Sequence, residues 1–345
     1  MYGDVNRILA TGDTGFSFTS ARAADEDIII ADIWTTAKAA DITWRTLAAL
    51  EGYIFASTSL AWGKELNSGT ITISSGAGGA LACGTADGAG STILSDNEGA
   101  IAFGHVLSGA DIYSGASGSI AGGYASGATS IQANYSGSIA IGIATTGDYL
   151  EGVLADGNGS VALGGNAQAQ ADRSVAIGTQ CYAGDSDSVA MGVSAASTQG
   201  TFAYANGEFG EPGDAQSLKS VLRNVTTDAT PTELFVNGSN ARFSIINGSA
   251  MTFTIKVIVK EDNTSDTAGW IFEGVIKNYA GTTALVGTPS KSVIGKDAGA
   301  ATWDVAITAD DTNDALAVTV TGEAAHNLKW VAVVDAVECW VEIPN

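Results

Sequence analysis

The residues that could do chemistry in this chain of 345 residues are few and widely spaced. His105 and His326 are its two histidines, and neither has a metal-ligand partner nearby in the sequence, so we expect structural roles for both. Serine is abundant, but no G-x-S-x-G elbow occurs, and a Ser-His-Asp triad has no support. The cysteines, Cys83, Cys181 and Cys339, are odd in number and show no C-x-x-C spacing. They predict neither a disulfide framework nor a zinc site, and we expect no enzyme.

Acidic clusters are the remaining source of chemistry. The stretches are Asp156-Gly157-Asn158-Gly159, Asp185-Ser186-Asp187 and Asp310-Asp311, which offer the oxygen ligands that calcium prefers. None reproduces an EF-hand loop or the nonapeptide calcium repeat, so we predict solvated turns and no cofactor, with calcium as the alternative. Stacked repeats could also hold two carboxylates roughly 5 to 10 Å apart, as glycosidases require. The sequence selects no such pair, and an endoglycosidase is the least favoured alternative.

The charge of the chain excludes several partners. Its formal charge is −22, from 37 acidic and 15 basic residues. Between Thr58 and Gly210 the bases are Lys64 and Arg173, against twelve acids. Such a surface opposes nucleic acid, whose phosphates need Lys and Arg, and it favours a soluble, exposed assembly. No apolar run approaches the roughly 18 residues of a membrane helix, and no positively charged start with an apolar region appears near Met1, so we predict no membrane insertion and synthesis in the host cytoplasm.

One short phrase recurs along the middle of the chain and must organise it. Its copies are TSLAWG, GALACG, GAIAFG, GSIAGG, GSIAIG, GSVALG, RSVAIG and DSVAMG, ending at Gly63, Gly84, Gly104, Gly123, Gly142, Gly164, Gly178 and Gly192. The steps between these glycines are 21, 20, 19, 19, 22, 14 and 14 residues, and a degenerate copy ends at Gly207. Self-similarity of this kind predicts a solenoid whose stacked rungs share one core.

Each phrase alternates an aliphatic residue, an alanine and a second aliphatic residue. Period-two alternation predicts a strand, with Ile139 and Ile141 on one face and Ala140 on the other. We expect the aliphatic residues in the core, where Cys83 replaces one of them as a small buried hydrophobe. The glycine that follows permits a left-handed or tight turn. We expect the alanines to point outward and to let neighbouring rolls approach closely: Ala121, Ala140, Ala162, Ala176 and Ala190.

The 14-residue steps with SVAIG-like phrases, between about Gly159 and Gly192, resemble the head repeats of trimeric bacterial autotransporter adhesins. That resemblance implies a left-handed parallel β-roll and a homotrimer with three chains side by side. The longer upstream steps depart from the family spacing, and the extra residues, such as 144–156, would be loops. A monomeric solenoid with alanine on its surface is the alternative.

The two ends of the chain differ from the repeats. Residues 1–57 contain a predicted helix at Asp32 to Glu51 and are interpreted as an attachment or capping segment. The roll is predicted at 58–212. Residues 213–345 contain alternating runs separated by turn-rich stretches, which predict a β-sandwich or jelly roll. We expect Trp330 and Trp340 in its core, and Trp270 and Trp303 as its candidate glycan-contact residues.

The order of segments predicts a structural virion fibre of a bacteriophage. The amino end would dock to other virion proteins of the tail or capsid, the roll would act as a spacer, and the carboxy-terminal domain, loosely similar to tail-fibre tips, would attach to a host-surface glycan. The alternatives are a capsid decoration or head fibre, and a fragment of a trimeric autotransporter adhesin without its coiled-coil stalk and membrane anchor.

Overall fold

The computed structural model describes residues 9–10, 16–17, 60–73, 78–147, 152–198 and 200–342. These residues are almost entirely β-structure, and they contain no α-helix. Strands β1 (Leu9–Ala10) and β2 (Phe16–Ser17) form an antiparallel pair. The helix predicted at 32–51 lies outside the described residues. The predicted fold class, a parallel β-solenoid followed by a β-sandwich, is confirmed.

Each repeat contributes two strands, one to each of two parallel sheets. The strands that contain the repeated phrase pair in chain order in a long sheet. They are β3 (Leu60–Leu66), β5 (Leu81–Asp87), β7 (Ile101–Leu107), β9 (Ile120–Ser126), β11 (Ile139–Ala144), β13 (Val161–Gly165), β15 (Val175–Thr179), β17 (Val189–Val193) and β19 (Thr201–Asn206). Register is kept between rungs, so that Ala140 lies between Ala121 and Ala162.

The second sheet closes the other side of the solenoid with shorter strands. They are β4 (Thr70–Ile73), β6 (Thr92–Ser95), β8 (Asp111–Ser114), β10 (Ser130–Ala133), β12 (Val153–Ala155), β14 (Gln168–Ala169), β16 (Tyr182–Ala183) and β18 (Ala196–Ser197). The strands shrink from four residues to two where the repeat shortens to 14 residues. The rungs therefore taper along the chain.

The interior of the solenoid corrects the predicted orientation of the strands. The five alanines predicted to face outward are all fully buried, and the aliphatic residues beside them are half-buried on the outer surface. Because the two sheets lie close together, the interior accepts alanine opposite Ile112, Ile131 or Val153 but not two large side chains. The serine two residues before the alanine, such as Ser138, is also buried, and its hydroxyl donates to the Tyr135 carbonyl oxygen at 2.6 Å.

The repeated glycine lies inside the strand and not at its end. Strand β7 continues three residues beyond Gly104, whose φ is 140°. A Cβ on Gly104 would lie 2.0 Å from the carbonyl oxygen of Gly123 in the next rung. The predicted need for a positive φ is confirmed at this position, but the close approach of adjacent backbones is an additional reason for glycine.

The carboxy-terminal part is an antiparallel two-sheet sandwich. Its first sheet consists of β20 (Ala215–Thr226), β29 (Leu328–Trp340), β23 (Ser249–Glu261) and β24 (Thr267–Tyr279), with β25 (Thr282–Leu285) and β26 (Ser290–Lys296) both paired to β24. Its second sheet places β28 (Ala315–Thr321) between β27 (Asp304–Asp310) and the short strands β21 (Thr232–Glu233) and β22 (Phe243–Ser244). A three-residue 3-10 helix (Ala298–Ala300) precedes β27.

The first sheet of the sandwich is a continuation of the long sheet of the solenoid. Strand β19 pairs antiparallel with β20, and Ala203 lies opposite Leu218. The two parts therefore share one sheet of 15 strands. The division of the chain at residues 57/58 and 212/213 stays a prediction.

Candidate assembly face

The candidate functional site is the outer side of the long sheet, which we call the assembly face. In each rung the residues before and after the buried alanine point outward, and parallel pairing stacks them into two columns. The first column is Leu81, Ile101, Ile120, Ile139, Val161, Val175, Val189 and Phe202. The second is Cys83, Phe103, Gly122, Ile141, Leu163, Ile177, Met191 and Tyr204. The solenoid thus carries an apolar stripe from β5 to β19.

Exposure increases toward the end of the solenoid. Most residues of the columns are half-buried by their neighbours above and below, but Phe202 and Tyr204 in the last rung are 38% and 50% exposed. Ile143 and Val193, one position beyond the repeated glycine, are 53% and 39% exposed. Contiguous apolar surface of this extent is typical of an interaction site.

The assembly face continues onto the sandwich. Phe202 lies opposite Lys219 in β20, and Lys219 lies opposite Asp335 in β29, so these side chains share one side of the sheet. Lys219 and Asp335 form an ion pair of 2.9 Å. The neighbouring outward residues are aliphatic: Val221, Val225, Ile258, Val331 and Val337 are between 37% and 63% exposed.

Two shallow hollows lie along this face. One, of about 370 Å³, is lined by residues of β20, β23, β24 and β29, including Thr252, Glu273 and Val337. The other, of about 580 Å³, lies where β17 and β19 meet β20, and it includes Phe202 and Arg223. The face therefore has relief into which side chains of a partner could pack.

The structure corrects the prediction for the two tryptophans proposed as glycan contacts. Trp270 is 1% exposed and Trp303 is fully buried, so neither presents a ring to a sugar. Both belong to the sandwich core, where Trp270 stacks on Trp330 with ring centroids 5.8 Å apart. Lys296 covers the open side of Trp270, with its ammonium nitrogen 5.5 Å from the ring centroid. The Trp330 indole N–H donates to Thr226 at 2.9 Å.

Trp340 is half-buried at the edge of the sandwich. Its indole N–H donates to the Asn247 carbonyl oxygen at 2.8 Å. The expectation of a core position therefore holds for Trp330 and only in part for Trp340.

The acidic clusters are occupied by protein partners. Asp187 accepts two hydrogen bonds from Arg173 across one rung, and these bonds lower the pKa of its carboxyl. Asp310 accepts from Asn313 and lies 3.4 Å from the Arg242 guanidinium. Among the described residues there is no group of three or more acidic, histidine or cysteine side chains that could hold a metal ion. The turns predicted at these positions are the geometry that the structure shows, since Asp310 caps the N–H groups of Thr312 and Asn313.

The histidines and cysteines do not meet in one site. His105 packs edge-on against Tyr124 in the next rung, and His326 lies 2.8 Å from Glu261 at the top of the sandwich. Cys181 is buried in the solenoid. Cys83 is half-buried on the assembly face, which corrects the prediction that it is a core residue, and partial burial raises the pKa of its thiol.

The sizes of the side chains in the repeat, unlike their hydrophobicity, indicate which residues form the assembly face. The alanine position is alanine in every copy, whereas the flanking positions vary from glycine to phenylalanine. Constant small size indicates a sterically restricted interior, and variable large size indicates a surface with room. Alternation by itself separates two faces but does not tell which one is inside.

Comparison with known proteins finds a family match in the solenoid. Residues 155–180 match the YadA head domain repeat in two copies. This stretch contains the rungs of β13 and β15, where the sequence steps by 14 residues. No curated protein matches the chain. The match supports a fibre or adhesin-like protein, at the position where the sequence resemblance was most specific.

Three solved structures of phage tailspikes are similar at low TM-score. They are tailspike gp49 of the Acinetobacter baumannii bacteriophage Fri1, a capsular polysaccharide depolymerase (10% identity, TM-score 0.23), the tailspike of Acinetobacter phage vB_ApiP_P1 (10%, 0.18) and that of Acinetobacter baumannii phage AM24 (8%, 0.18). The similarity covers 76%, 76% and 74% of this chain and 42%, 51% and 53% of theirs. The chain thus spans about half the length of these proteins, and TM-scores this low carry no inference about activity.

No helix among the described residues has the length and apolarity needed to cross a membrane.

Proposed function

We propose that the chain is a homotrimeric fibre protein of a bacteriophage virion, a tail fibre that attaches to the host surface through its carboxy-terminal domain. The observation that carries the proposal is the apolar stripe of the assembly face. In a chain with a net charge of −22, two columns of mostly apolar side chains on the surface indicate a contact with other chains. Three such faces around one axis would bury these columns and leave the charged corners in water.

The number three is supported by the head-repeat match, since the adhesins with such repeats are trimers with their rolls side by side. The columns, and not the alanines, would form the contact. The other sides of the solenoid suit a solvent-exposed spacer: the corner between rungs carries exposed Arg173 and Asp187 and half-buried Asp172. Other virion proteins would bind the amino-terminal segment, and a host-surface glycan would bind the carboxy-terminal domain.

The oligomeric state tests the proposal directly. Multi-angle light scattering of the full chain should give three times the chain mass of 34.7 kDa. Replacing Ile141 and Ile177 by aspartate should reduce this mass, because three carboxylates would then be buried at each level of the interface. The matched control places aspartate at Ser136, an exposed position at a corner between rungs and off the long sheet. A monomeric wild-type chain would contradict the proposal.

A second experiment tests the location in the particle. Virions labelled with gold against the carboxy-terminal domain should show the label at the tail tip. Label over the capsid would identify the protein as a head fibre and not a tail fibre. Particles without label would contradict both assignments.

A further inference from the structure

We propose that the outer face of the sandwich sets the axial register of the three chains, so that the solenoid provides most of the contact area and the sandwich fixes the alignment. This inference rests on the proposed trimer and adds a role for a surface that would otherwise be assigned to receptor binding. The surface consists of the outward residues of β20, β23, β24 and β29, and we call it the register face.

The first column of the solenoid cannot define a unique alignment. Its first column reads Ile101, Ile120, Ile139, Val161, Val175 and Val189 in consecutive rungs. Sliding one chain by one rung, about 4.8 Å, places isoleucine or valine where isoleucine or valine was before. Repeated apolar surfaces of this kind specify register weakly. Along this column a slipped trimer would lose the contacts of a single rung. In the second column Phe103 and Gly122 differ strongly in size, but Ile141, Leu163, Ile177 and Met191 are again similar.

The register face has no such repetition. Along one row the outward residues are Lys219, Asp335, Thr254 and Glu273, and the adjacent row reads Ser217, Val337, Thr252 and Val275. The hollow of about 370 Å³ lies at these rows. No shift of 4.8 Å brings an equivalent residue into the same place. A slip would therefore cost the whole of this contact.

The composition of the register face fits a second copy of the chain as its occupant. Val331, Val337 and Ile258 are 37%, 63% and 48% exposed although they lie in central strands of a sheet. The surface continues without a break from the assembly face, because β19 and β20 are paired. Two of its cations are paired: Lys219 with Asp335 at 2.9 Å and, at the far end, Lys329 with Asp262 at 2.6 Å. Exposed valine and isoleucine interspersed with paired charges are typical of a protein interface, which as a whole is about as apolar as the remaining surface.

A distance measurement between chains tests the inference. A nitroxide label is attached at Ser136→Cys, an exposed solenoid corner, in a full chain whose Cys83 and Cys339 are replaced by serine. Pulsed electron spin resonance should give one distance between labels in the parent trimer. Val337→Lys should leave the mass trimeric and add further distances, because chains offset by one or more rungs become populated.

The matched control is Val293→Lys. Val293 is 55% exposed in the edge strand β26, where it pairs with inward-facing Trp270 and so lies off the register face. This control should keep the single distance. A single distance in Val337→Lys would overturn the inference and leave the trimer intact, and a monomeric Val337→Lys would overturn it by showing that the face supplies affinity. A monomeric parent chain would instead contradict the proposed function.

Discussion

Gly164 and Gly178 lie directly over one another in adjacent rungs, so close that a Cβ on Gly164 would be 2.0 Å from the Gly178 carbonyl oxygen. The same relationship recurs at Gly84, Gly104, Gly123, Gly142 and Gly178, each with the next rung. A repeat that stacks backbone on backbone leaves no room for a side chain at this position in any rung that another parallel rung follows; the last rung has Ala205 there. The invariant glycine is thus a packing requirement as well as a conformational one.

Replacing Gly164 by alanine should destabilise the solenoid. The methyl group would meet backbone atoms that cannot rotate away, and the residue has a φ of 133°, which alanine adopts poorly. We expect the free energy of unfolding to fall by roughly 1 to 3 kcal/mol, the usual cost of overpacking a core. Chemical denaturation of the full chain measures it. Gly210→Ala is the control, since Gly210 has open space around it, and an equal effect of the two substitutions would contradict the explanation.

Ala176 and Ile177 are adjacent in sequence and should respond in opposite ways to substitution. Ala176→Val adds two methyl groups to a fully buried position and should lower the denaturation midpoint at every protein concentration, by roughly 1 to 3 kcal/mol. Ile177→Thr changes the assembly face. It should leave the rung folded and raise the protein concentration needed for trimer formation, so its loss in midpoint should vanish at dilutions where the wild type is itself dissociated. If Ala176→Val affected association and Ile177→Thr affected the folding of the rung, the alanines would have to lie on the outer surface.

The same pair shows how much of the fold the sequence predicts. The repeat, the strand that contains each phrase and the sandwich follow from periodicity and turn residues. The second strand of each rung does not: residues 144–156, expected as a loop, include β12. Which face of each strand points inward does not follow from periodicity. It depends on the space between the two sheets, and the sequence of a single strand gives no information on that space. Ser138 and Ala140 share the buried face, and a hydroxyl satisfied by the Tyr135 carbonyl oxygen removes the penalty that would normally mark serine as exposed.

The sequence predicts which residue types could form a binding site, but it does not predict which of them lie on the surface. Trp270 and Trp303 have the residue type that binds sugars, but their alternation in β24 and beside β27 places them between the two sheets. Cys83 was predicted in the core because it takes the place of an aliphatic residue in the repeat. That position belongs to the second column, which lies on the outer side of the long sheet. The change of composition at Pro212 and Gly213 predicts a domain boundary. In the structure these residues form a turn, and β19 and β20 on its two sides pair in one sheet.

Glu338 should make the stability of the junction depend on pH. It lies in β29 beneath the last rung, and Gln216 and Ser249 donate to its oxygens at 2.8 and 2.6 Å. Burial raises the pKa of the Glu338 carboxyl despite these donors. Since the folded pKa lies above the unfolded one, the group costs nothing at pH values below both, and its cost grows as the pH rises from the unfolded to the folded pKa.

The measurement is a comparison with Glu338→Gln. The stability of this variant relative to the wild type should increase from pH 4 to pH 8, because only the wild type must keep a buried carboxylate ionised. Denaturation midpoints at matched ionic strength provide the difference. A constant difference across this range would show that the carboxyl does not titrate differently on folding.

Asp214 predicts the opposite dependence at the same junction. Its carboxylate accepts the N–H groups of Phe209, Gly210 and Glu211 at 2.8, 2.7 and 3.0 Å, and so fixes the turn that leads from β19 to β20. Burial would raise the pKa of the Asp214 carboxyl, but the three donors outweigh it and the pKa is lowered. Stability from this group is therefore present above the unfolded pKa and is lost as the pH falls through the folded pKa.

Asp214→Ala should consequently cost about 1 to 3 kcal/mol at pH 7, since three donors lose their shared acceptor, and less at pH 3. Asp214→Asn separates charge from geometry, because the amide oxygen keeps one acceptor in place without the negative charge. We expect Asp214→Asn to be intermediate in stability at pH 7. Because the turn joins the repeated solenoid to the non-repeating sandwich, Asp214→Ala should also add distances between labels at Ser136→Cys if the sandwich sets the register. A loss of stability with the single distance retained would assign Asp214 to local folding alone.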